Sequence, residues 1–422
     1  MKTYVMVQKT LNKQKMKTPN NWITCKLQEV CSTTSGGTPS RRHSEYYKGS
    51  IPWIKSGELN DSIILNSKEH ISEDAIKNSN AKLFPVGSLL IALYGATIGK
   101  MAFLGVPATT NQAICCIFKN SGVNLNFLFY FLLLNRTNLI KQGKGGAQKN
   151  ISQNLLKDLI IPVPPMAEQK RIVKKIEELF GVIDEQVKRL EATHAALVSY
   201  RQSVLADCLR KAAGVSTTLG KTVKPRRERV TFNGTNGNMI FIGMDCIESN
   251  ALKPHKTDLL RNTKSTCFIF HKDDVLYGRM RSYLNKVFKA ETNGAASAEF
   301  IVFPPTKDIL PDYLKYLLHQ QDFVSFATRN ASGDRPRVKF EEDLAPFPFT
   351  LPSLPEQKAI VKKIENAFAF ADKAQAAIIG ALEQAKQLKQ SILKRAFEGK
   401  LVPQDPNDKP VDLTQIKKDK HK

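Results

Sequence analysis

Residues 164–180 read PPMAEQKRIVKKIEELF, and residues 352–368 read PSLPEQKAIVKKIENAF, the same phrase 188 positions later. From Val163 to Phe180, 11 of 18 positions match their counterparts, including an unbroken EQK and IVKKIE. The register holds without a gap through Asp184/Asp372 to Gln202-Ser203/Gln390-Ser391. Two unrelated Lys-rich helices would share scattered residues, not a contiguous hexapeptide in fixed register, so the chain is an internal duplication.

Each copy opens a long helix. Prolines (Pro162, Pro164, Pro165; Pro352, Pro355) and an early Glu168 or Glu356 suit a helix N-terminus, and Gly214 and Gly399 suit the ends. In the first helix Ile176, Ile183, Leu190, Leu197 and Val204 recur every seven residues, with Ile172, Leu179 and Tyr200 on the other seam. The second repeats Ile364, Ala371, Ile378, Ala385 and Ile392, with Ala367, Ala374, Ala381 and Leu388 alongside. Such heptads predict that the helices pack on each other. Their interface is expected at Ile172, Ile176, Ile183, Leu190, Leu197, Ile360, Ile364, Ile378, Leu388 and Ile392. At 1.5 Å per residue each helix would be a rod of roughly 65 Å.

The segments between the helices also correspond, more weakly. Strand-like runs IPWIKSGEL (51–59) and MIFIGMDCI (239–247) come first, then buried-strand patterns at 87–104 and 274–290. NQAICCIF and SAEFIVF follow, then apolar helices NFLFYFLLL (126–134) and PDYLKYLLHQQ (311–321), and last the polar loops 143–152 and 331–340. The predicted organisation is a basic leader 1–20, a first module 21–163, a helix 164–213, a second module 214–351, a helix 352–400 and a tail 401–422. The fold class is α/β, with α+β modules alternating with helices: one scaffold carrying two different surfaces.

Charge points to a polyanion. The 422 residues hold 63 Lys+Arg against 39 Asp+Glu, a formal +24, and each neutralised phosphate would release a condensed counterion. The leader carries five lysines and no acid, but no apolar signal region follows. The most apolar stretch, 127–134, is too short to span a bilayer. Cys25, Cys31, Cys115, Cys116, Cys208, Cys246 and Cys267 form no CxxC pair and read as buried thiols of a reducing cytoplasm.

Catalytic motifs fail one by one. GATIGKM (95–101) is one residue short of a phosphate loop and lacks the following Ser/Thr. No GxGxxG opens a βα unit, and no Asn-Pro-Pro-aromatic motif of an amino-methyltransferase occurs. A PD…ExK nuclease pattern built on Glu356 and Lys358 is better explained by helix-start chemistry, since EQK recurs at Glu168. Seven scattered histidines give no triad or metal pair.

Binding features do better. In the second module Arg279, Arg281 and Lys286 flank Tyr283, and Arg335 and Arg337 lie in the Gly-Asp-Arg-Pro loop. The first module places Lys55, Tyr94, Thr97 and Lys100 on turns and Lys141, Lys144, Gln148 and Lys149 in its polar loop. Arginine pairs with guanine or grips phosphate, glutamine suits adenine edges, and threonine suits thymine methyls. Singly each of these is equally a solvated charge; clustered on turns at matching places they predict DNA contacts. The run KTVKPRRER (221–229) reads either as a phosphate contact or as a linker.

The order module, EQK…IVKKIE helix, module, second such helix, then FEGKLVPQDPND (397–408) resembles the DNA-specificity subunit of type I restriction–modification enzymes. The resemblance implies a non-catalytic chain whose modules are target-recognition domains, each reading one half of an interrupted DNA sequence. It implies helices packed as an antiparallel coiled coil, which fix half-site spacing and dock partners, with pseudo-two-fold symmetry and a tail returning to the first module. The implied partners are double-stranded DNA, two modification (methyltransferase) subunits and restriction (ATPase/nuclease) subunits. S-adenosylmethionine, ATP and Mg would sit on those subunits and no cofactor or metal on this chain. Two rival readings are a non-catalytic nucleic-acid-binding or assembly scaffold, and the specificity part of a fused restriction–methylation enzyme.

Overall fold

The computed structural model describes residues 18–119, 122–143 and 150–414. It divides into two compact units, one made of Met1–Lys188 with Leu382–Lys422 and the other of Arg189–Ala381. Both long helices are present, at Met166–Arg210 and Leu354–Phe397, and each contributes a segment to each unit.

Each module is built around the same strand core. In the first unit Leu89–Ala92 lies between Ile114–Lys119 and Met101–Leu104, antiparallel to both. In the second, Val275–Gly278 lies between Phe300–Phe303 and Val287–Lys289 in the same way. Beside this, Ile51–Ile54 pairs parallel with Thr109–Thr110 and antiparallel with His70–Ile71. The counterpart Ile240–Ile242 pairs parallel with Gly294–Ala296 and antiparallel with Asp258–Leu259. A strand entering each module pairs with the one leaving it, Ile23 opposite Val163 and Val215 opposite Leu351. The copies differ at the sheet edges. Cys31–Ser35 and Ser62–Ile64 extend the first sheet of unit one, whereas Cys267–Phe270 and Arg229–Val230 extend the other sheet of unit two. The apolar runs are helices, Leu125–Gln142 and Pro311–His319.

The repeated EQK phrase has an internal explanation. Gln169 and Gln357 are wholly buried. The Gln169 carboxamide donates to Gly122 O (3.1 Å) and Pro164 O (2.8 Å) and accepts from Asn124 N (2.8 Å). Gln357 donates to Asp308 O and Pro352 O (2.9 Å each) and accepts from Leu310 N (2.8 Å). Asn124 and Leu310 are the N-caps of the apolar helices, so one buried amide satisfies two main-chain carbonyls and the N–H at a helix start. Tyr130 meets Phe180 edge-on at 5.8 Å, and Tyr316 meets Phe368 at 5.7 Å, which reproduces the same seam in both units.

Within unit two the long helices run antiparallel, with Arg201 on Asp372 (2.5 Å) and Lys363 opposite Asp207 (3.7 Å). Ile172, Ile176, Ile183, Leu197, Ile360, Ile364, Ile378 and Ile392 are buried, and Leu190 is half-buried. Leu388 departs from expectation: it is 52% exposed. At 3.6 residues per turn the buried stripe drifts off a strict heptad, and Lys389 takes the inward place, its ammonium 4.8 Å from the Phe180 ring and 2.5 Å from Asp184. Tyr200 is likewise exposed.

Gly399 ends the second helix in the left-handed region (φ +70°), with Lys400 N donating to Arg395 O (2.8 Å). A Cβ there would lie 2.3 Å from Pro19. Gly214 does not end the first helix, which stops at Arg210. It allows close approach instead, since a Cβ would fall 2.1 Å from Leu351 O. Beyond Gly399, as far as Thr414, the chain belongs to unit one. Leu401, Val402, Val411 and Leu413 pack on its core, Arg171 grips Asp408 (2.6 Å), and Gln404 and Trp22 both donate to buried Glu168. All seven cysteines are buried; burial pushes the Cys115 and Cys116 thiols up to about 12. Among the described residues no helix is long and apolar enough to cross a membrane.

Candidate nucleic-acid interface

The turns that carry the candidate side chains join equivalent hairpin strands. In unit two the turn 279–286 leaves Val275–Gly278 and returns at Val287–Lys289. Arg281 (φ +55°) and Asn285 (φ +48°) bracket a short 3-10 turn, Ser282–Leu284. Left-handed backbone is costly for side chains with a Cβ, so neighbouring contacts must hold it. Asn285 is buried and donates to His319 O (2.9 Å). Arg281 N donates to Pro336 O (2.7 Å), and Val338 N donates to Arg279 O (3.0 Å). Met280 and Ser332 both bridge to Arg337, so the turn and the 331–338 loop form one platform.

On that platform Arg281, Tyr283 and Arg335 face solvent, Tyr283 being 53% exposed. Two other candidates are turned to protein acceptors. Arg337 presents Nε and Nη2 to the Glu299 carboxylate (2.7–3.1 Å), and Lys286 donates to Met244 O (2.7 Å). Arg279 is half-buried, with its Nε–H enclosed and lacking an acceptor. The hydrogen bond from Arg337 holds the Glu299 carboxyl below its usual range against the opposing effect of burial, and the Arg337 and Arg279 charges add to it.

Unit one carries the matching turn at 93–100, shaped by Gly95 (φ +90°) and Gly99 (φ +75°). The Thr97 hydroxyl donates to Ser56 O (2.6 Å), which draws the Lys55 turn alongside. Lys100 reaches Asp61 (3.2 Å), as does Arg136 of the apolar helix (3.0 Å). Burial pushes the Asp61 carboxyl up, but the Arg136, Met101 N–H and Lys100 bonds together hold it below the ordinary range. Lys55 pairs with Glu69, which Arg41 also holds (2.5 Å) while stacking 3.9 Å over Tyr47. Tyr94 is half-buried against the core rather than freely presented. Lys144, Gln148 and Lys149 lie outside the described residues.

The sequence therefore locates the turns and loops but misses the acids that order their cations: Asp61, Glu69 and Glu299. Arg41 and Arg136 escape notice for the same reason. Arg136 lies 75 residues from its partner, and no local pattern announces such a pair.

Beneath the unit-two platform His319 is 4% exposed, and burial, helped by Lys315, pushes its pKa down to about 4. The unfolded chain binds this proton near pH 6.5, so folding stability is expected to fall as pH drops from about 6.5 to about 4, by about 3 kcal/mol in all. Denaturant titrations of wild type and His319→Leu across that range should diverge; parallel pH profiles would show that His319 is not buried neutral.

The comparisons with known proteins agree with this architecture. The family model described as type I restriction modification DNA specificity domain matches residues 19–192 and 224–384. The chain is 30% identical over 180 residues to the type I restriction enzyme MjaIX specificity subunit of Methanocaldococcus jannaschii (42% of this chain, 41% of that one). It is 24% identical over 427 residues to the EcoBI specificity subunit of Escherichia coli (91% and 87%). The alignments at 30% identity thus span less than half the length of the relatives they match. A solved structure reported on complex assembly and conformational transition of the type I R-M system aligns with TM-score 0.72 and 20% identity (91% of this chain, 100% of that one). The HsdS subunit from Thermoanaerobacter tengcongensis aligns with TM-score 0.56 and 18% identity (92% and 100%). At those identities the likeness is one of fold. With two matched regions that cover most of its length, one on each module and its helix, this chain belongs to the type I restriction–modification DNA specificity family.

Proposed function

We propose that this chain is the DNA-reading, non-catalytic specificity subunit of a cytoplasmic type I restriction–modification complex, each module reading one half of an interrupted target. The observation that carries the reading is the pair of turns, 93–100 and 279–286, set on the same hairpin of a duplicated scaffold yet presenting different side chains. A scaffold kept twice with its turns diverged suits two half-sites of different sequence. Arg281, Tyr283 and Arg335 are the outward groups of the second module; Lys55, Thr97 and Lys100 surround the turn of the first. Base edges are read in the major groove and phosphates fix the register.

The long helices set the unread gap and dock the partners. Lys170/Lys358, Lys174/Lys362 and Glu177/Glu365 are identical in the two copies and exposed in both, so the buried Gln169 and Gln357 hydrogen bonds do not account for them. Two identical methyltransferase subunits would meet the same face twice. S-adenosylmethionine belongs to those subunits, and ATP and Mg to the restriction subunits; adenines would be flipped out for methylation there.

The test is an exchange of residues 279–286 for the corresponding turn of a relative with another target, followed by selection of bound duplexes with the assembled complex. The expected result is a new second half-site beside an unchanged first. A change in both halves, or in neither, would overturn the modular reading.

A further inference from the structure

Glu299 stands between the strands Gly294–Ala296 and Phe300–Phe303 and touches both halves of the second module's platform. Its carbonyl accepts from Arg279 N (2.8 Å), which anchors the start of the reading turn. Its carboxylate takes the Nε/Nη2 edge of Arg337 from the neighbouring loop. Arg279 faces the same carboxylate through its charge while its Nε–H lacks an acceptor. A planar anion on the Nε/Nη2 edge of a guanidinium occupies the position that a DNA phosphate would otherwise take.

The first unit has the same device from different parts. Asp61, in the left-handed region (φ +66°), holds Lys100 of the reading turn and Arg136 of the apolar helix. The two acids do not correspond in the duplication: Asp61 precedes the edge strand Ser62–Ile64, and Glu299 precedes a strand of the shared core. Common descent therefore does not explain the recurrence, whereas a shared need to restrain cations beside a reading turn does.

We propose that Glu299 is a positioning residue for second-half-site recognition, an internal stand-in for phosphate that keeps Arg337 and Arg279 from gripping the DNA backbone. The proposal rests on the DNA-reading function above. A cation free to swing binds the nearest phosphate of any sequence, which raises non-specific affinity and blurs discrimination; a cation held by protein carboxylate can contribute only where the register is right. Removing the charge should thus loosen specificity by strengthening the wrong contacts.

The experiment uses the full chain assembled with its partner subunits, a random-sequence duplex, and duplexes altered in one half-site at a time. Glu299→Gln is expected to bind the random duplex about threefold to tenfold more tightly and to steepen the log-affinity against log-salt slope by about one. Discrimination at the second half-site should fall about tenfold while the first is unchanged. Glu299→Asp keeps the charge and should stay near wild type in random-duplex affinity, which separates charge from folding. A merely structural role predicts the reverse for Glu299→Gln, weaker binding to every duplex. Unchanged or weaker random-duplex affinity, or a shift at the first half-site, overturns the proposal. If the wild-type complex binds no duplex at all, the DNA-reading function itself fails.

Discussion

Phe397→Ala is expected to destabilise unit one by about 3–5 kcal/mol, a loss at the upper end for truncating a buried side chain. Phe397 closes the second long helix and is wholly buried, its ring 5.0 Å from Phe127 and 5.2 Å from Phe131. Those two rings come from the apolar helix of the first module, so one side chain joins module to helix. Nothing smaller fills the place, and the tail laid over the core by Arg171–Asp408 limits collapse into the void. The duplication supplies a control. The counterpart 188 residues earlier is Leu209, which lines a cleft of about 540 Å³ with Tyr313, Leu317 and Phe326. Because the space there is already partly open, Leu209→Ala should cost only about 2 kcal/mol, at the low end for such a change. Urea unfolding of the two variants measures the difference. Equal losses would mean that Phe397 is not the keystone its contacts imply.

Gln169→Ala and Gln357→Ala should each cost about 2–4 kcal/mol, with Gln169→Ala toward the upper end. Each truncation strands two main-chain carbonyls and one N–H; both carbonyl bonds of Gln169 are buried, whereas of the Gln357 pair the bond to Pro352 O is buried and that to Asp308 O only partly so. The Glu variants should be no better: a carboxylate still accepts from the helix N-cap but sets negative oxygen against two carbonyls. Hydrogen exchange locates the damage, with protection lost in unit one for the first variant and in unit two for the second. A cost below about 1 kcal/mol, or loss in the opposite unit, would rule out the latch as the reason that EQK is repeated.

That reason is only partly legible in the sequence. The phrase EQK…IVKKIE announces two helices and a duplication, and heptad spacing names most of the buried stripe. What a linear pattern cannot show is which identities face inward. Gln169, Ile172, Val173 and Ile176 are kept by packing and hydrogen bonding within the chain, which leaves Lys170, Lys174 and Glu177 as the exposed remainder. Leu388 falls outside the stripe because a strict seven-residue repeat outruns a real helix, and the amphipathic stem of Lys389 serves as well in its stead. At the interface, Gly, Arg and Tyr clusters reveal the turns. Whether a cation is outward or restrained depends on acids far away in sequence, Asp61 for Arg136 and Glu299 for Arg337, and long-range pairing of that kind leaves no local mark.

The glutamine latch addresses three main-chain groups and not one side chain of the module it holds. A socket of that kind is indifferent to the identity of its plug. Any domain whose chain arrives with the same backbone shape before its apolar helix and at its exit strand can be seated, whatever it carries on its turns. The repeated phrase that follows gives both modules the same helix start. New targets would then be acquired by swapping whole cassettes at a standard fitting, with the supporting helices inherited intact.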